Sequence, residues 1–170
     1  MTELEELLKA FIPQESRYVV KGTKLIEAIN NQNLDAVLPL IKEYQRFYKV
    51  QNIDDIKNKT FFSQFGMDTD KGCLFGYKNN NKFVAFATVY FTFSSTITSK
   101  VAVMNDLYVI KEFRGQGIAK KLIKHCEKYA KSKNSVRLQW VTAKENEIAQ
   151  KVYSAIGAKQ SSWEFFTYAT

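Results

Sequence analysis

Residues that interrupt or cross-link a chain are scarce in this sequence: its 170 residues include 2 prolines, 7 glycines, 2 cysteines and 1 histidine. With so little proline and glycine, and no low-complexity tract, no segment is typical of a linker. Cys73 and Cys126 share no metal or redox spacing, and one histidine cannot complete a histidine-based metal site, so we expect no metal. A chain of this length with 45% hydrophobic residues can bury a core without disulfides. We therefore expect one domain over residues 1–170.

Long apolar runs are also absent. The longest, from Phe83 to Phe93, is too short to cross a bilayer as a helix. The acidic N-terminus, with Glu3, Glu5 and Glu6, does not show the basic-then-apolar order of a signal peptide. We therefore expect a soluble, cytoplasmic protein with no membrane partner.

Acidic residues are outnumbered, since 17 Asp and Glu stand against 25 Lys and Arg, and the net charge is +8. This excess is typical of proteins that bind nucleic acid, an anionic lipid surface or a polyanionic small molecule, and it is equally typical of a solvated basic surface with no such partner. The sequence has no Arg-rich arm, RNP-like aromatic signature or zinc-finger spacing, so we do not expect nucleic acid as a partner. The densest basic segment, residues 111–133, lies on and after a glycine pair, where it would serve a phosphate-binding turn.

Hydrophobic periodicity predicts an α/β chain with a mixed sheet. An amphipathic helix within residues 1–14 precedes a core of about residues 23–168. The strand–helix–strand unit around the glycine pair should form a right-handed parallel crossover. The predicted strands cover residues 24–29, 73–77, 82–93, 100–109, 135–142 and 164–168. The predicted helices of the core cover residues 34–48, 53–65 and 146–156, together with the segment that begins at residue 118.

The glycine pair is the most informative feature of the sequence. A strand ending at Val109 leads through a charged turn to Gly115 and Gly117 and then into a long basic helix. A helix that begins on glycines leaves backbone N–H groups unpaired, with the positive end of the helix dipole behind them, so we predict that this turn holds the pyrophosphate of a nucleotide-containing cofactor. A dinucleotide fold would need a third glycine where Lys120 stands, and a P-loop would need Gly-Lys followed by Ser or Thr. A turn that only connects strand to helix would explain one glycine better than two.

Two motifs resemble those of the GNAT superfamily of N-acetyltransferases. The first, which follows a strand ending in Leu107-Tyr108-Val109, is similar to the acetyl-CoA motif of that family: Arg114-x-x-Gly117-x-Ala119. The second is similar to the family's next motif: Asn146-x-x-Ala149-x-x-x-Tyr153-x-x-x-Gly157. The order of elements agrees over about residues 23–168. The resemblance implies the GNAT fold, a mostly antiparallel sheet with one parallel strand–helix–strand crossover and flanking helices, with acetyl-CoA as co-substrate and no metal.

The resemblance also implies roles for individual residues. Backbone N–H groups from Gln116 to Ala119 would hold the CoA pyrophosphate, and the backbone from Leu107 to Val109 would bind the pantetheine amides. Tyr153 would lie near the thioester sulfur. The residues expected at the cofactor are Leu107, Tyr108, Val109, Arg114, Gly115, Gln116, Gly117, Ile118, Ala119, Lys120 and Asn146.

Acetyl transfer requires a base for the amine and an acid for the departing thiolate. Asp106 is the first candidate for the base because it interrupts an apolar strand, and its alternative role is that of a structural hydrogen-bond acceptor. Tyr153 is the candidate acid, and its alternative role is packing of its helix onto the sheet. Eukaryotic diamine acetyltransferases of the family carry Glu-Asp where this chain has Asn105-Asp106, and the Asn-Asp form resembles uncharacterised bacterial members. This departure puts a diamine acceptor in doubt.

The sequence thus predicts an N-acetyltransferase that moves acetyl from acetyl-CoA to a primary amine by direct attack in a ternary complex. The alternative is a catalytically inactive CoA-binding or interaction domain of the same fold. The acceptor, a small molecule or a peptide, would bind among residues 44–48, 91–95 and 163–166. The aromatic end of the helix over residues 34–48 has core packing as its other interpretation. The last predicted strand offers an edge through which a homodimer could form.

Overall fold

The structure is a computed structural model that describes residues 24–169, so the helix predicted within residues 1–14 lies outside the described part. Two one-turn 3-10 helices lie at Leu34–Ala36 and Lys111–Phe113. The strands are β1 (Lys24–Ala28), β2 (Gly72–Asn79), β3 (Lys82–Ser94), β4 (Ser99–Val109) and β5 (Leu138–Gln139). The α-helices of this part of the chain are α1 (Leu38–Phe47), α2 (Asp55–Phe62), α3 (Ile118–Ser132) and α4 (Glu147–Ala155).

The described strands form one sheet in the order β1-β2-β3-β4-β5. All neighbours are antiparallel except β4 and β5, which are parallel and joined by α3. The β2–β3 hairpin turns at Asn80 and Asn81, whose φ angles of 50° and 62° are left-handed, as a two-residue hairpin loop of this kind requires. The sheet confirms the predicted α/β fold, mostly antiparallel with one parallel crossover.

Helices cover both faces of the sheet. On one face, Leu122, Cys126 and the other apolar residues of α3 pack against Ala85 and Ala87 of β3. On the opposite face, α1 and α2 pack against β2 and β3 through residues such as Ile41, which is fully buried. Because both faces are covered, the central strands are apolar on both sides. Polar groups buried in them therefore need an explanation.

The first helical segment differs from its prediction in detail. A continuous helix was predicted over residues 34–48, and the structure instead has a 3-10 turn followed by α1. Pro39 stands in the first turn of α1, where its fixed φ and missing N–H are tolerated. Helix α2, predicted over residues 53–65, covers Asp55–Phe62. It begins there because the Asp54 side chain accepts from the backbone N–H groups of Ile56 and Lys57 at 2.9 and 3.0 Å.

The C-terminal part of the sheet corrects two predictions. The strand predicted over residues 135–142 is reduced to the two residues of β5. The strand predicted over residues 164–168 is wrong, since residues 158–169 have no regular structure and Trp163 and Phe166 are 91% and 88% exposed. Aromatic composition favours a strand only where a neighbouring strand is available, and β5 is too short to provide one. Within residues 24–169 no helix is long and apolar enough to cross a membrane.

Gly72 provides a test of the β2–β3 packing. Its φ is 137°, and a Cβ at this position would overlap the backbone carbonyl of Val89 on β3. Gly72→Ala should therefore lower the free energy of unfolding by about 2 to 3 kcal/mol, measured by denaturant unfolding. Gly66→Ala is the matched control, because the nearest atom to its Cβ would be 3.9 Å away. Equal stability of the two variants would contradict the β2–β3 geometry.

Candidate active site

β4 and β5 separate soon after they meet. Their bridged residues are Ala102 with Leu138 and Val103 with Gln139. Ala102 donates its backbone N–H to the carbonyl of Arg137 at 3.0 Å, which is the contact expected of parallel strands. β4 then continues to Val109, whereas β5 ends at Gln139. The outer edge of β4 therefore has no neighbouring strand over its second half, within the described residues.

The backbone of this free edge points away from β3. Ile110 donates its N–H to the carbonyl of Val84 at 3.0 Å, and antiparallel pairing alternates from there along β4. Tyr108 therefore bonds to β3, whereas the N–H and C=O groups of Leu107 and Val109 face the space beside β5. Leu107 and Val109 can bind the amides of an extended ligand, as a strand edge does. The backbone of Tyr108, expected to do the same, is turned to β3, and only its side chain is available.

The glycine turn follows this edge. Gly115 and Gly117 have φ angles of 76° and 74°, a left-handed conformation that side chains with a Cβ rarely adopt. A Cβ at either position would meet no atom within 4 Å, so the surface of the turn is open. Gly117 is the N-cap of α3 and supplies no capping side chain.

The backbone N–H groups of the turn are free. Before it, Arg114 donates to the carbonyl of Lys111 at 3.3 Å, and after it Lys121 donates to the carbonyl of Gly117 at 3.1 Å. Between these two donors, the structure contains no hydrogen bond from a backbone N–H to any described residue. Convergent N–H groups at the positive end of a 15-residue helix form an anion site, which fits a pyrophosphate. The free donors are Gly115, Gln116, Gly117, Ile118, Ala119 and Lys120.

The side chain of Arg114 is turned from the glycine turn toward α1. Its Nε donates to the carbonyl of Val109 at 2.9 Å. Its guanidinium carbon lies 5.8 Å from the ring centre of Tyr108 and 5.9 Å from that of Phe47, which is cation–π distance. The side chain thus connects the free edge of β4 with the end of α1.

A β-bulge places Asp106 on the α1 face of the sheet. Thr88 pairs with Asp106 while Val89 pairs with Met104, so Asn105 is an extra residue in β4. Met104 packs in the α3 cluster, and regular alternation would put Asp106 on that same side. The extra residue shifts the alternation by one, so Asp106 faces α1 instead.

Asp106 is only 7% exposed. Its Oδ1 accepts from Asn105 Nδ2 at 3.1 Å, and its Oδ2 has no hydrogen-bond partner of normal geometry among the described residues. Burial raises the pKa of Asp106, and the nearby polar groups of Thr88, Tyr44 and Asn105 partly oppose the shift. A carboxylate with a raised pKa accepts a proton more readily near neutral pH. Burial and the Asp106 charge together raise the pKa of Tyr44 and of Tyr90.

Tyr153 lies on α4 with its ring 5.2 Å from that of Trp140. Burial raises the pKa of Tyr153, as does the nearby Tyr48, while a hydrogen bond with Thr142 lowers it. Its phenol therefore stays protonated at neutral pH and can donate. Asn146 caps the same helix, since its Oδ1 accepts from the N–H of Ala149 at 3.2 Å.

The end of α1 connects the candidate base with the candidate acid. Tyr44 lies beside Asp106, Tyr48 lies beside Tyr153, and the rings of Tyr44 and Tyr48 are 4.9 Å apart. Tyr44 also packs on Phe86, so it belongs both to the core and to the site.

Other predicted acceptor residues lie elsewhere. Phe91 packs on Tyr129 of α3, 5.6 Å between ring centres, and Phe93 is 79% exposed. Thr88 and Tyr90 are residues that the sequence did not single out. A hydroxyl at position 88, inside the apolar run from Phe83, was the available signal for the first of them.

Together, an anion cradle at a helix start, a strand edge able to bind amides, and a candidate acid and base are the features expected of a coenzyme A-dependent acyltransferase. The model of the acetyltransferase (GNAT) family matches residues 37–158. The chain belongs to this family and is an acetyl-CoA-dependent N-acetyltransferase. No group of three or more His, Cys, Asp or Glu side chains within residues 24–169 could hold a metal ion.

Characterised relatives cover most of the chain. It is 29% identical over 148 residues to a D-amino-acid N-acetyltransferase of Saccharomyces cerevisiae, covering 86% of this chain and 91% of the relative. It is 27% identical over 144 residues to a thialysine N-epsilon-acetyltransferase of Bos taurus, covering 78% and 84%. The solved structure of AAC(6')-Iy with a CoA bisubstrate analogue has the same fold, with a TM-score of 0.73, 21% identity and coverage of 87% and 99%.

Gly117→Ala tests the anion cradle. A Cβ would stand on the open surface of the turn, and left-handed strain of about 1 to 2 kcal/mol would misalign the N–H donors. We expect CoA affinity, measured by calorimetry, to fall about tenfold or more. Gly157→Ala is the matched control, since its φ is 82° and its Cβ would also meet nothing within 4 Å. It should lose similar stability and keep its CoA affinity, and an equal loss of affinity in both variants would rule out a local role for the turn.

Proposed function

We propose that this protein transfers the acetyl group of acetyl-CoA to the primary amine of a small molecule, by direct attack within a ternary complex. The proposal depends chiefly on one observation: a free strand edge leads from a cradle of unpaired N–H groups to a buried carboxyl with an unpaired oxygen. We also propose that residues 23–168 form one GNAT domain.

The cofactor fits the free backbone groups described above. We assign the pyrophosphate to the N–H groups from Gly115 to Lys120, with the Arg114 backbone beside them. The pantetheine amides would bind Leu107 and Val109, with Asn146 contacting the arm from α4. From Val109 to Asp106 the strand rises about 10 Å, so an arm that follows this edge brings its thioester to the bulge. Bound in this way, acetyl-CoA supplies an activated acyl carbonyl and a thiolate leaving group.

Asp106 is the proposed base. An alkylammonium of pKa about 10.4 loses its proton at neutral pH at a cost of about 4 to 5 kcal/mol. Asp106 Oδ2 has no hydrogen bond of normal geometry to any described residue, and the carboxyl lies beside Thr88 and Tyr44, the latter on α1. It would accept the proton from the acceptor, directly or through water. The alternative role, as an acceptor for neighbouring backbone, has no backbone hydrogen bond to support it in the described part of the chain.

Tyr153 is the proposed acid. Its phenol would donate a proton to the thiolate as the carbon–sulfur bond breaks, a balanced exchange because phenol and thiol pKa values lie within about two units. The contact with Trp140 holds its ring in place. Because a candidate acid and a candidate base are both in place, we favour acetyl transfer over an inactive CoA-binding domain of the same fold.

The acceptor is proposed to be a small amine. The relatives named above act on D-amino acids and on thialysine, whose amines are carried by small molecules. A thiol-release assay with acetyl-CoA and a panel of amines tests the proposal directly. Acceptor-dependent release of thiol is expected, and CoA binding without any such release would favour the inactive alternative.

Removing the Tyr153 hydroxyl should lower turnover without changing acetyl-CoA binding. Tyr153→Phe keeps the ring packed on Trp140 and removes only the donor. Turnover should fall about tenfold or more while acetyl-CoA affinity changes little, as measured by steady-state kinetics and calorimetry. Tyr168→Phe, at an exposed position, is the control and should behave as wild type. Unchanged turnover in Tyr153→Phe would exclude the acid role.

Asp106→Asn should produce a loss of activity that depends on pH. At pH 7 we expect turnover to fall about a hundredfold, because the acceptor stays protonated. The loss should shrink as the assay pH rises toward about 10, where the amine loses its proton unaided. Asp55→Asn, which breaks only a surface ion pair with Lys42, is the control. A loss independent of pH would contradict the base role.

The stability of Asp106→Asn as a function of pH tests the burial of this carboxyl independently of enzyme activity. Because burial raises the folded-state pKa of Asp106, folding disfavours its ionised form. This cost is absent below the unfolded-state pKa of about 3.9 and complete above the folded-state pKa. Asp106→Asn lacks the cost, so its thermal stability should exceed that of wild type at neutral pH, and the difference should vanish near pH 4.

A further inference from the structure

Two opposite charges flank Tyr108 on the α1 face. On one side, the phenol of Tyr108 donates to Glu43 Oε2 at 3.4 Å. On the other side lies the guanidinium of Arg114, held over the same ring and over Phe47. Burial and the charge of Glu43 raise the pKa of Tyr108, and Arg114 lowers it, which agrees with this arrangement.

Glu43 and Arg114 each contact Tyr108 but do not form an ion pair with each other. The ion pairs found among the described residues involve neither Glu43 nor Arg114. Arg114 uses its Nε on the carbonyl of Val109, so its terminal N–H groups remain available. Glu43 is exposed and keeps one carboxylate oxygen free of hydrogen bonds to described residues. A guanidinium that can bind an anion and a carboxylate that can bind a cation therefore lie on either side of the Tyr108 phenol.

This pair lies at a defined distance from the proposed base. Asp106 and Tyr108 are two residues apart on β4 and face the same side, with Cα atoms about 7 Å apart. Asp106 Oδ2 is buried and without a partner of normal geometry among the described residues. Between the two positions, the rings of Tyr44 and Tyr108, 5.9 Å apart, provide an apolar wall. An acceptor whose amine reaches Asp106 would thus place its far end beside Glu43 and Arg114.

We propose that the acceptor is an amino acid acetylated on a side-chain amine, whose α-ammonium binds Glu43 and whose α-carboxylate binds Arg114. This inference rests on the proposed function and specifies the class of its substrate. A diamine would bring a second positive charge toward Arg114. An acceptor with a carboxylate but no α-amine would bring a negative charge toward Glu43, with no ammonium to neutralise it. Only a zwitterionic end satisfies both groups.

The experiment uses acceptors that share one aminoalkyl chain. DL-lysine carries both charges, 1,5-diaminopentane lacks the carboxylate, and 6-aminohexanoic acid lacks the α-amine. Thiol release is measured at saturating acetyl-CoA for wild type, for Glu43→Gln and for the control Glu127→Gln, which changes an exposed residue paired with Lys124 on α3. Wild type should prefer lysine to both analogues by about tenfold or more in kcat/KM, as expected for a lost charged hydrogen bond.

Glu43→Gln should raise KM about tenfold for lysine and for diaminopentane, and leave it unchanged for 6-aminohexanoic acid and for acetyl-CoA. Glu127→Gln should change none of these values. Equal kcat/KM for lysine and diaminopentane in wild type would overturn recognition of the carboxylate. An unchanged KM for lysine in Glu43→Gln would overturn the subsite.

Failure of the subsite and failure of acetyl transfer give different results. Turnover of the analogues without a preference for lysine would leave transfer intact and refute the subsite. If no amine supports thiol release, calorimetry of lysine with the CoA-loaded protein decides the point. Binding that Glu43→Gln weakens would uphold the subsite without transfer, and absence of binding would overturn it.

Discussion

β4 and β5 part after two bridged residues, and the rest of the site depends on that separation. Backbone groups in the middle of a sheet are normally consumed by neighbouring strands, and unpaired ones are tolerated only where solvent or a ligand reaches them. Here the backbone groups of Leu107 and the N–H of Val109 face outward without hydrogen bonds to described residues, whereas the Val109 carbonyl accepts from Arg114 Nε. The turn that follows keeps its N–H donors because two glycines hold it in left-handed geometry. The fold thus leaves free main-chain groups on the outer edge of β4 and in the glycine turn, as an extended, phosphorylated ligand would require.

The bulge at Asn105 places Met104 and Asp106 on opposite faces of the sheet. If β4 alternated regularly through Asn105, Asp106 would share the α3 face with Met104 and would be surrounded by the apolar core. The bulge at Asn105 breaks this alternation and places the carboxyl on the α1 face, beside Tyr44, while the backbone edge beyond it continues toward the glycine turn. The free backbone edge and the Asp106 carboxyl therefore lie next to each other at the bulge, where the proposed cofactor and acceptor sites would meet.

Local sequence signals located much of this arrangement. The glycine pair, strands β1 to β4 and helix α3 follow from turn chemistry and from hydrophobic period, and Asp106 drew notice as a polar residue in an apolar strand. The register across β3 and β4 did not follow from the sequence, so Thr88 and Tyr44 were not placed beside that carboxyl. Ala102 and Met104, followed by Leu107 and Val109, shift the apolar alternation by one residue, and that shift was a signal for the bulge. Residues 164–168 have strand-forming side chains but form no strand, because strand propensity alone does not provide a neighbouring strand to pair with.

Arg114 lies between the proposed cofactor site and the proposed acceptor site. Its main chain enters the glycine turn, its Nε is bonded to the carbonyl of Val109, and its guanidinium lies over rings of the acceptor side. A ligand that repositions this one side chain changes the free energy of binding at the other site, and thermodynamic linkage makes that effect equal in both directions. On the proposed sites, this single arginine would make the affinity for each substrate depend on the presence of the other, without movement of any helix or strand.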